Sequence, residues 1–287
     1  MAAVSLSVII PVWNMASTVG PAVDSALDQG WDGSEVIVVD DGSTDGTLAA
    51  LESYRDRIKL ISQPHRGSSA AYNTGARAAA SSSYLAFLDA DDVWLPGMLS
   101  KTVALLEQDP GCVMAYANAA MIDGNGRDRG PWLPAQHHTP SLKEMLNAYW
   151  SILPSMCVMR RSAFEAAGGF WEEPGVYRAC ADVYLMLRLR ELGHFLYQPE
   201  CLVVRRIASY RESSQRYAQG HKVLSRPICE RYGNTGHRFV KRPRTVRYVL
   251  LFFRMLNIDP VRFQPVFNAV RFLLPPKLAD ILGKPEE

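Results

Sequence analysis

The stretch Tyr84-Leu85-Ala86-Phe87-Leu88-Asp89-Ala90-Asp91-Asp92-Val93-Trp94 decides how this chain is read. It starts as a short apolar run after Ser81-Ser82-Ser83 and ends in three carboxylates within four positions. A buried strand with clustered acids at its C-terminal tip is costly, because neighbouring like charges oppose joint ionisation. A multivalent cation removes that cost. Oxygen ligands without nearby His or Cys favour a hard metal, Mg2+ or Mn2+. Such a metal commonly completes its shell with substrate phosphates. The plainer alternative is a solvated loop in which Asp92 caps the next helix.

Working outward, two earlier runs have the same character. Leu6-Ser7-Val8-Ile9-Ile10-Pro11 reads as a buried parallel strand ended by proline. Glu35-Val36-Ile37-Val38-Val39-Asp40-Asp41 is a second strand that also ends in acids, followed by a turn and helix cap at Gly42-Ser43-Thr44-Asp45-Gly46-Thr47. Ser17 or Thr18 can cap a helix with Ala22, Val23, Ala26 and Leu27 on one face. Further helices are expected over residues 47–54, 68–80 and 96–108, with strands at 58–61 and 113–117. Strands alternating with helices predict an α/β fold with a mostly parallel sheet. Ligands then bind beyond the C-terminal strand ends. Pro11, Asp40-Asp41 and Asp89 to Asp92 all lie at such ends and are expected to meet in one crevice.

After Asp123 the pattern weakens. Gly124, Gly126, Gly130, Pro131 and Pro134 suggest loops over the site, with His137-His138 as an exposed pair rather than metal ligands. A strand is expected near 156–159, and a short helix over 162–167 that stops at Gly168-Gly169. Cys180-Ala181-Asp182 leads into a helix ending before Gly193, so Asp182 stands at a helix N-terminus, where a capping carboxylate is also favourable. Phe195-Leu196-Tyr197 and Leu202-Val203-Val204 read as two short closing strands.

The 287 residues suffice for one large domain or a domain with a subdomain. Five widely spaced cysteines with no CxxC pair indicate neither a zinc site nor a disulfide framework, and fit a reducing, cytoplasmic compartment. No signal-peptide pattern stands at the N-terminus, and no apolar run approaches the roughly 18 residues of a membrane span. The net charge of +2 is unevenly distributed. Residues 1–204 carry 14 basic and 23 acidic side chains, and residues 205–287 carry 17 and 6. Val246, Val249, Leu250 and Phe253, and then Phe263, Val266, Phe267, Val270, Leu273 and Leu274, keep helical spacing beside Arg247, Arg254, Arg262 and Arg271. Basic amphipathic helices of this kind lie on an anionic membrane surface, or pack on the body or on a second copy of the chain. No nucleic-acid recognition motif is present.

The set Ser7-Val8-Ile9-Ile10-Pro11-Val12-Trp13-Asn14, Val38-Val39-Asp40-Asp41-Gly42-Ser43-Thr44-Asp45-Gly46-Thr47 and Phe87-Leu88-Asp89-Ala90-Asp91-Asp92 strongly resembles family 2 glycosyltransferases. The resemblance is close over 6–123 and looser to about 209. It implies a GT-A type fold and inverting transfer from a nucleotide-sugar donor, with a UDP-sugar favoured, to a glycan or lipid-linked acceptor. It implies that Pro11, Val12 and Asn14 line the donor site, that Asp41 bonds the base and that Asp40 supports that strand end. Asp89 and Asp91 become the metal and donor ligands, Asp182 the general base, and Asp92 and Trp94 acceptor contacts. The expected divisions are a nucleotide-sugar-binding half at 1–123, an acceptor-side half at 124–209 and a basic helical extension at 210–287. The expected location is cytoplasmic, peripheral at the inner face of a membrane, with self-association possible. Three departures stand out: Ala181 in place of a second acid before Asp182, Tyr72 in place of an Arg before Asn73, and no His after Arg205-Arg206. Arg66 or Arg77 is expected to replace the missing Arg, and Arg205 or Arg206 the missing His. The alternatives are a non-catalytic nucleotide-sugar-binding protein and a sugar nucleotidyltransferase, whose Gly-rich phosphate loop Trp13 to Thr18 lacks.

Overall fold

The structure is a computed structural model that describes residues 5–79, 81–135, 137–147, 152–172, 181–206 and 231–232. The helices expected in the basic C-terminal part lie outside the described residues.

Four short strands form the first half of the sheet: β1 (Leu6–Val12), β2 (Ser34–Asp40), β3 (Lys59–Ser62) and β4 (Tyr84–Phe87). β1 pairs in parallel with β2 and β4, and β2 with β3. Every residue of β1 is buried, which explains a continuous apolar run instead of alternation. Helices α1 (Val19–Leu27) and α3 (Ser68–Ala78) pack on these strands. At Gly75 of α3 a Cβ would lie 2.4 Å from Ile9 Cγ2, so the helix and sheet meet where only glycine fits. Between them, α2 (Thr47–Leu51) continues as a 3-10 turn over Glu52–Tyr54. Thr18 is the N-cap of α1 but makes no side-chain capping bond. The entry is tied by backbone instead, with Thr18 N and Val19 N both donating to Met15 O at 3.1 Å.

The second half comprises β5 (Val93–Trp94), α4 (Met98–Gln108), β6 (Cys112–Ile122), β7 (Asp128–Pro131), α5 (Leu142–Asn147), β8 (Cys157–Arg160), α6 (Arg161–Ala167), α7 (Ala181–Leu192) and β9 (His194–Arg206). The sheet order is β3-β2-β1-β4-β8-β6-β9-β5, with β7 on β6. β8 enters antiparallel between β4 and β6, while β9 runs parallel to β6.

Several local expectations change. The two closing strands are one strand, β9, because its register on β6 steps from Ala117↔Gln198 to Asn118↔Cys201. Pro199 lacks an N–H for the ladder, and this bulge accommodates it. The strand expected at 113–117 extends to Ile122, since β9 and β7 pair along its length. Asp92 does not cap α4, whose N-cap is Gly97 at φ +92°. His137 is not exposed: it packs edge-on against Tyr116 and Tyr197, and its Nε2 lies 2.7 Å from the Tyr116 hydroxyl. Burial pushes its pKa down to about 4. His138 is exposed and meets Glu144 at 3.0 Å.

Candidate active site

The C-terminal ends of β1, β2 and β4 lie side by side, as the parallel register requires. The ends of β1 and β2 are tied by Asp41 N donating to Val12 O at 2.8 Å. Pro11, Val12, Asp40 and Asp41 are buried there. Asn14 is the only non-glycine described residue with positive φ, at 53°. Its side-chain oxygen accepts from Thr44 N at 2.8 Å, and its own N–H donates to Ser43 Oγ at 2.9 Å. Asp40 accepts from Ser43 N at 3.1 Å. The first two strand ends are thus clamped to the loop carrying Gly42 to Thr47.

Asp41 grips a different loop. Its Oδ1 accepts from Gln63 Nε2 at 2.7 Å and Arg66 N at 2.9 Å. Its Oδ2 accepts from Gly67 N at 2.7 Å and meets His65 Nδ1 at 2.8 Å. His65 in turn stacks on Trp13, centroids 4.3 Å apart. The carboxylate therefore shapes the entry to α3 and supports the Trp13 face beside the β1 end.

Beyond β4 the chain turns sharply, with Asp92 N donating to Asp89 O at 3.0 Å. Ligand oxygens of Asp89, Asp91 and Asp92 all lie within 4.8 Å of one another, the only such group among the described residues. Burial, and then the charge of Asp89, raise the pKa of Asp91 to about 6 and that of Asp92 to about 8. Asp92 accepts from Arg206 N at 3.2 Å, which ties the acidic turn to the end of β9. Trp94 is buried behind the turn, and its indole N–H donates to Ser155 O at 2.7 Å. Ser155 Oγ accepts from Asp89 N at 3.0 Å. Nothing in the sequence around Leu153-Pro154-Ser155 signals this support.

Asp182 stands in the first turn of α7. Burial raises its pKa to about 6, and the Asp89 charge adds to the rise. The charge of Arg205 lowers the pKa of Asp91, Asp92 and Asp182 alike. Its guanidinium lies 4.2 Å from the ring centroid of Trp132. The acidic turn, Asp182 and the end of β9 therefore share one electrostatic neighbourhood, although they are far apart in sequence. Arg66 pairs instead with Glu172 at 2.8 Å, and exposed Arg77 donates to Thr74 Oγ1 at 3.0 Å. Tyr72, at the position of the expected Arg, donates its hydroxyl to Asp89 Oδ1 at 2.5 Å. Burial, and then the Asp89 carboxylate, keep that phenol protonated.

Parallel strand ends that carry an acidic turn, in a sheet of this order, define the GT-A class of transferase folds. The family model described as "Glycosyl transferase family 2" matches residues 7–168, more than half of the chain. The chain belongs to that family. It is 33% identical over 122 residues to UDP-Glc:alpha-D-GlcNAc-diphosphoundecaprenol beta-1,3-glucosyltransferase WfgD of Escherichia coli, covering 42% of this chain and 47% of the relative. It is 26% identical over 222 residues to the putative teichuronic acid biosynthesis glycosyltransferase TuaG of Bacillus subtilis, covering 76% and 85%. An uncharacterized glycosyltransferase of Nostoc is 39% identical over 126 residues, covering 42% and 38%. The chain thus spans about half or less of several of its curated relatives. Among solved structures it resembles Staphylococcus aureus TarS in complex with UDP, with TM-score 0.62 and 19% identity over 83% of this chain and 71% of that one. It also resembles the mannosyltransferase PcManGT of Pyrobaculum calidifontis in complex with GDP-Man and Mn2+, with TM-score 0.61 and 20% identity over 94% and 81%. No helix among the described residues is long and apolar enough to cross a membrane.

Proposed function

We propose that the chain is an inverting, metal-assisted glycosyltransferase that moves a sugar from a nucleotide-sugar to a hydroxyl of a glycan or lipid-linked acceptor. The observation that carries this reading is the acidic turn after β4, where ligand oxygens of Asp89, Asp91 and Asp92 lie within 4.8 Å of one another. Inversion by direct displacement needs a base on one side of the anomeric carbon and charge neutralisation at the leaving diphosphate on the other. No covalent enzyme intermediate is required, so one base suffices.

Asp182 takes the proton from the acceptor hydroxyl. With a pKa near 6 it is ionised at neutral pH yet more basic than an ordinary carboxylate. Asp89 and Asp91 hold Mn2+ or Mg2+. The donor set fits a hard cation, because it consists of carboxylates alone and their crowding is relieved by positive charge. When bound, the cation supplies neutralisation of charge on the diphosphate. Arg205 contributes fixed positive charge to the same region. Pro11, Val12, Asn14 and Asp40 form the nucleotide end. Asp41 acts there through the 63–67 loop it holds, and a base N–H would exchange with the Gln63 amide. Asp92 and Trp94 back the acidic turn on the acceptor side.

The nucleotide is uracil-based in this reading, in keeping with relatives named for UDP-Glc and solved with UDP. The GDP-Man neighbour makes GDP-sugars the competing arm of the test. The reading divides the chain into a donor half at 1–123, an acceptor half at 124–209 and a basic extension at 210–287. The extension brings the enzyme to the inner face of a membrane or to a second copy. A thermal-shift screen of nucleotide-sugars with and without Mn2+ tests the reading, followed by NMR assignment of the product anomer. One donor should raise Tm only with metal, and the product should have inverted configuration. Retention, or stabilisation by every donor without metal, contradicts it.

A further inference from the structure

We propose that Tyr72 is a positioning residue of the metal site: its hydroxyl fixes the Asp89 carboxylate for the cation, and Phe170 fixes the Tyr72 ring. This rests on the reading of Asp89 and Asp91 as metal ligands. Tyr72 is only 3% exposed. Its ring stacks on Phe170 at 4.6 Å and 16°, and meets Phe87 edge-on at 5.3 Å and 85°. A phenylalanine would satisfy that packing equally well, so the hydroxyl is the atom that needs a purpose. A buried hydroxyl needs an acceptor, and here it has an anion, which makes the stronger kind of bond. The bond engages one Asp89 oxygen and restricts rotation of the carboxylate, leaving the other oxygen for a cation. The Asp89 main chain is pinned as well, through Ser155.

The ring's support comes from the next residue along α3. Asn73 accepts from Phe170 N at 2.9 Å and donates to Phe170 O at 2.8 Å and to Glu172 Oε1 at 2.7 Å. Gly169, at φ +69°, brings this turn so close that a Cβ would lie 2.6 Å from Asn73 Oδ1. Consecutive residues of one helix therefore hold the metal-side carboxylate and the turn that leads towards Asp182. Metal affinity should then depend on Phe170, which carries no ligand atom.

The test is Mn2+ binding to the full chain, read as free Mn2+ by electron paramagnetic resonance and requiring no turnover. Tyr72→Phe should weaken binding about ten-fold, the scale of one hydrogen bond to a charged group. Phe170→Leu should weaken it in the same direction by less. In an Asp89→Asn background, Tyr72→Phe should change the remaining affinity less than about two-fold, since the coupled charge is gone. Unchanged affinity in Tyr72→Phe, or an equal loss in both backgrounds, overturns the proposal. If Tyr72→Phe fails to fold, 3-fluorotyrosine at position 72 keeps the shape and donates more strongly. It should bind Mn2+ as tightly or more so, and weaker binding overturns the proposal. A wild-type chain that binds no Mn2+ overturns the metal reading and this proposal with it. Wild-type binding lost in Asp91→Ala but intact in Tyr72→Phe overturns the Tyr72 role alone.

Discussion

Asp182 is raised to a pKa of about 6 chiefly by burial, with the Asp89 charge next among the causes that raise it. Only its ionised form accepts a proton. Transfer should therefore climb as pH rises through about 6 and level off above it, with the protonated enzyme inactive below. Asp182→Asn should keep nucleotide-sugar affinity, lose transfer by about 10²-fold or more and lose that rise. Near-normal turnover with the same pH profile would point to another base. Asp182 was legible in the sequence as a carboxylate opening a helix, but its raised pKa was not, because burial and the Asp89 charge arise only from tertiary packing. The same holds for Asp92, expected as an acceptor contact with a helix cap as the plainer alternative, and found packed into the acidic cluster with its pKa raised to about 8.

At the scale of elements, α3 does more than cover the sheet. Its tight seat at Gly75 on Ile9 sets the depth at which Tyr72 and Asn73 reach the site. Gly169→Ala tests that arrangement. The positive φ alone costs about 1–2 kcal/mol for an L side chain, and the Asn73 contact adds to it. The variant should unfold at lower denaturant concentration and bind Mn2+ less tightly, because the displaced turn carries Phe170. Unchanged stability would mean that the Phe170 turn is free to move off α3. The elements of the first half were readable because parallel, fully buried strands leave continuous apolar runs such as Val36 to Val39. β5 was not, since two residues carry no periodicity, and its pairing with β9 makes it a strand. In the sequence β9 reads as two pieces because Pro199 interrupts the pattern, and the bulge absorbs that break. His137 reads as exposed in the sequence because the polar loop around it gives no sign of the Tyr116 and Tyr197 rings that pack against it.

At the scale of the whole molecule, the sheet order explains how distant carboxylates come together. β8 inserts beside β4, and β9 returns along β6 to end at Asp92. Residues 89–92 and 205–206 therefore meet although more than a hundred positions separate Asp92 from Arg206 in the sequence, and the charges of Asp89 and Arg205 reach Asp182. The parallel half followed from strand and helix alternation. The antiparallel half did not, since loop-rich sequence between Asp123 and Pro154 conceals β7 and α5. The central claim is that the acidic turn holds a cation on which nucleotide-sugar binding depends. Calorimetric titration of UDP-sugars into wild type and Asp91→Ala, each with Mn2+ and with chelator, tests it most directly. Affinity should be strong in wild type with Mn2+, and should fall to one shared low level with chelator and in Asp91→Ala under both conditions. Unchanged Mn2+-dependent affinity in Asp91→Ala would contradict the account.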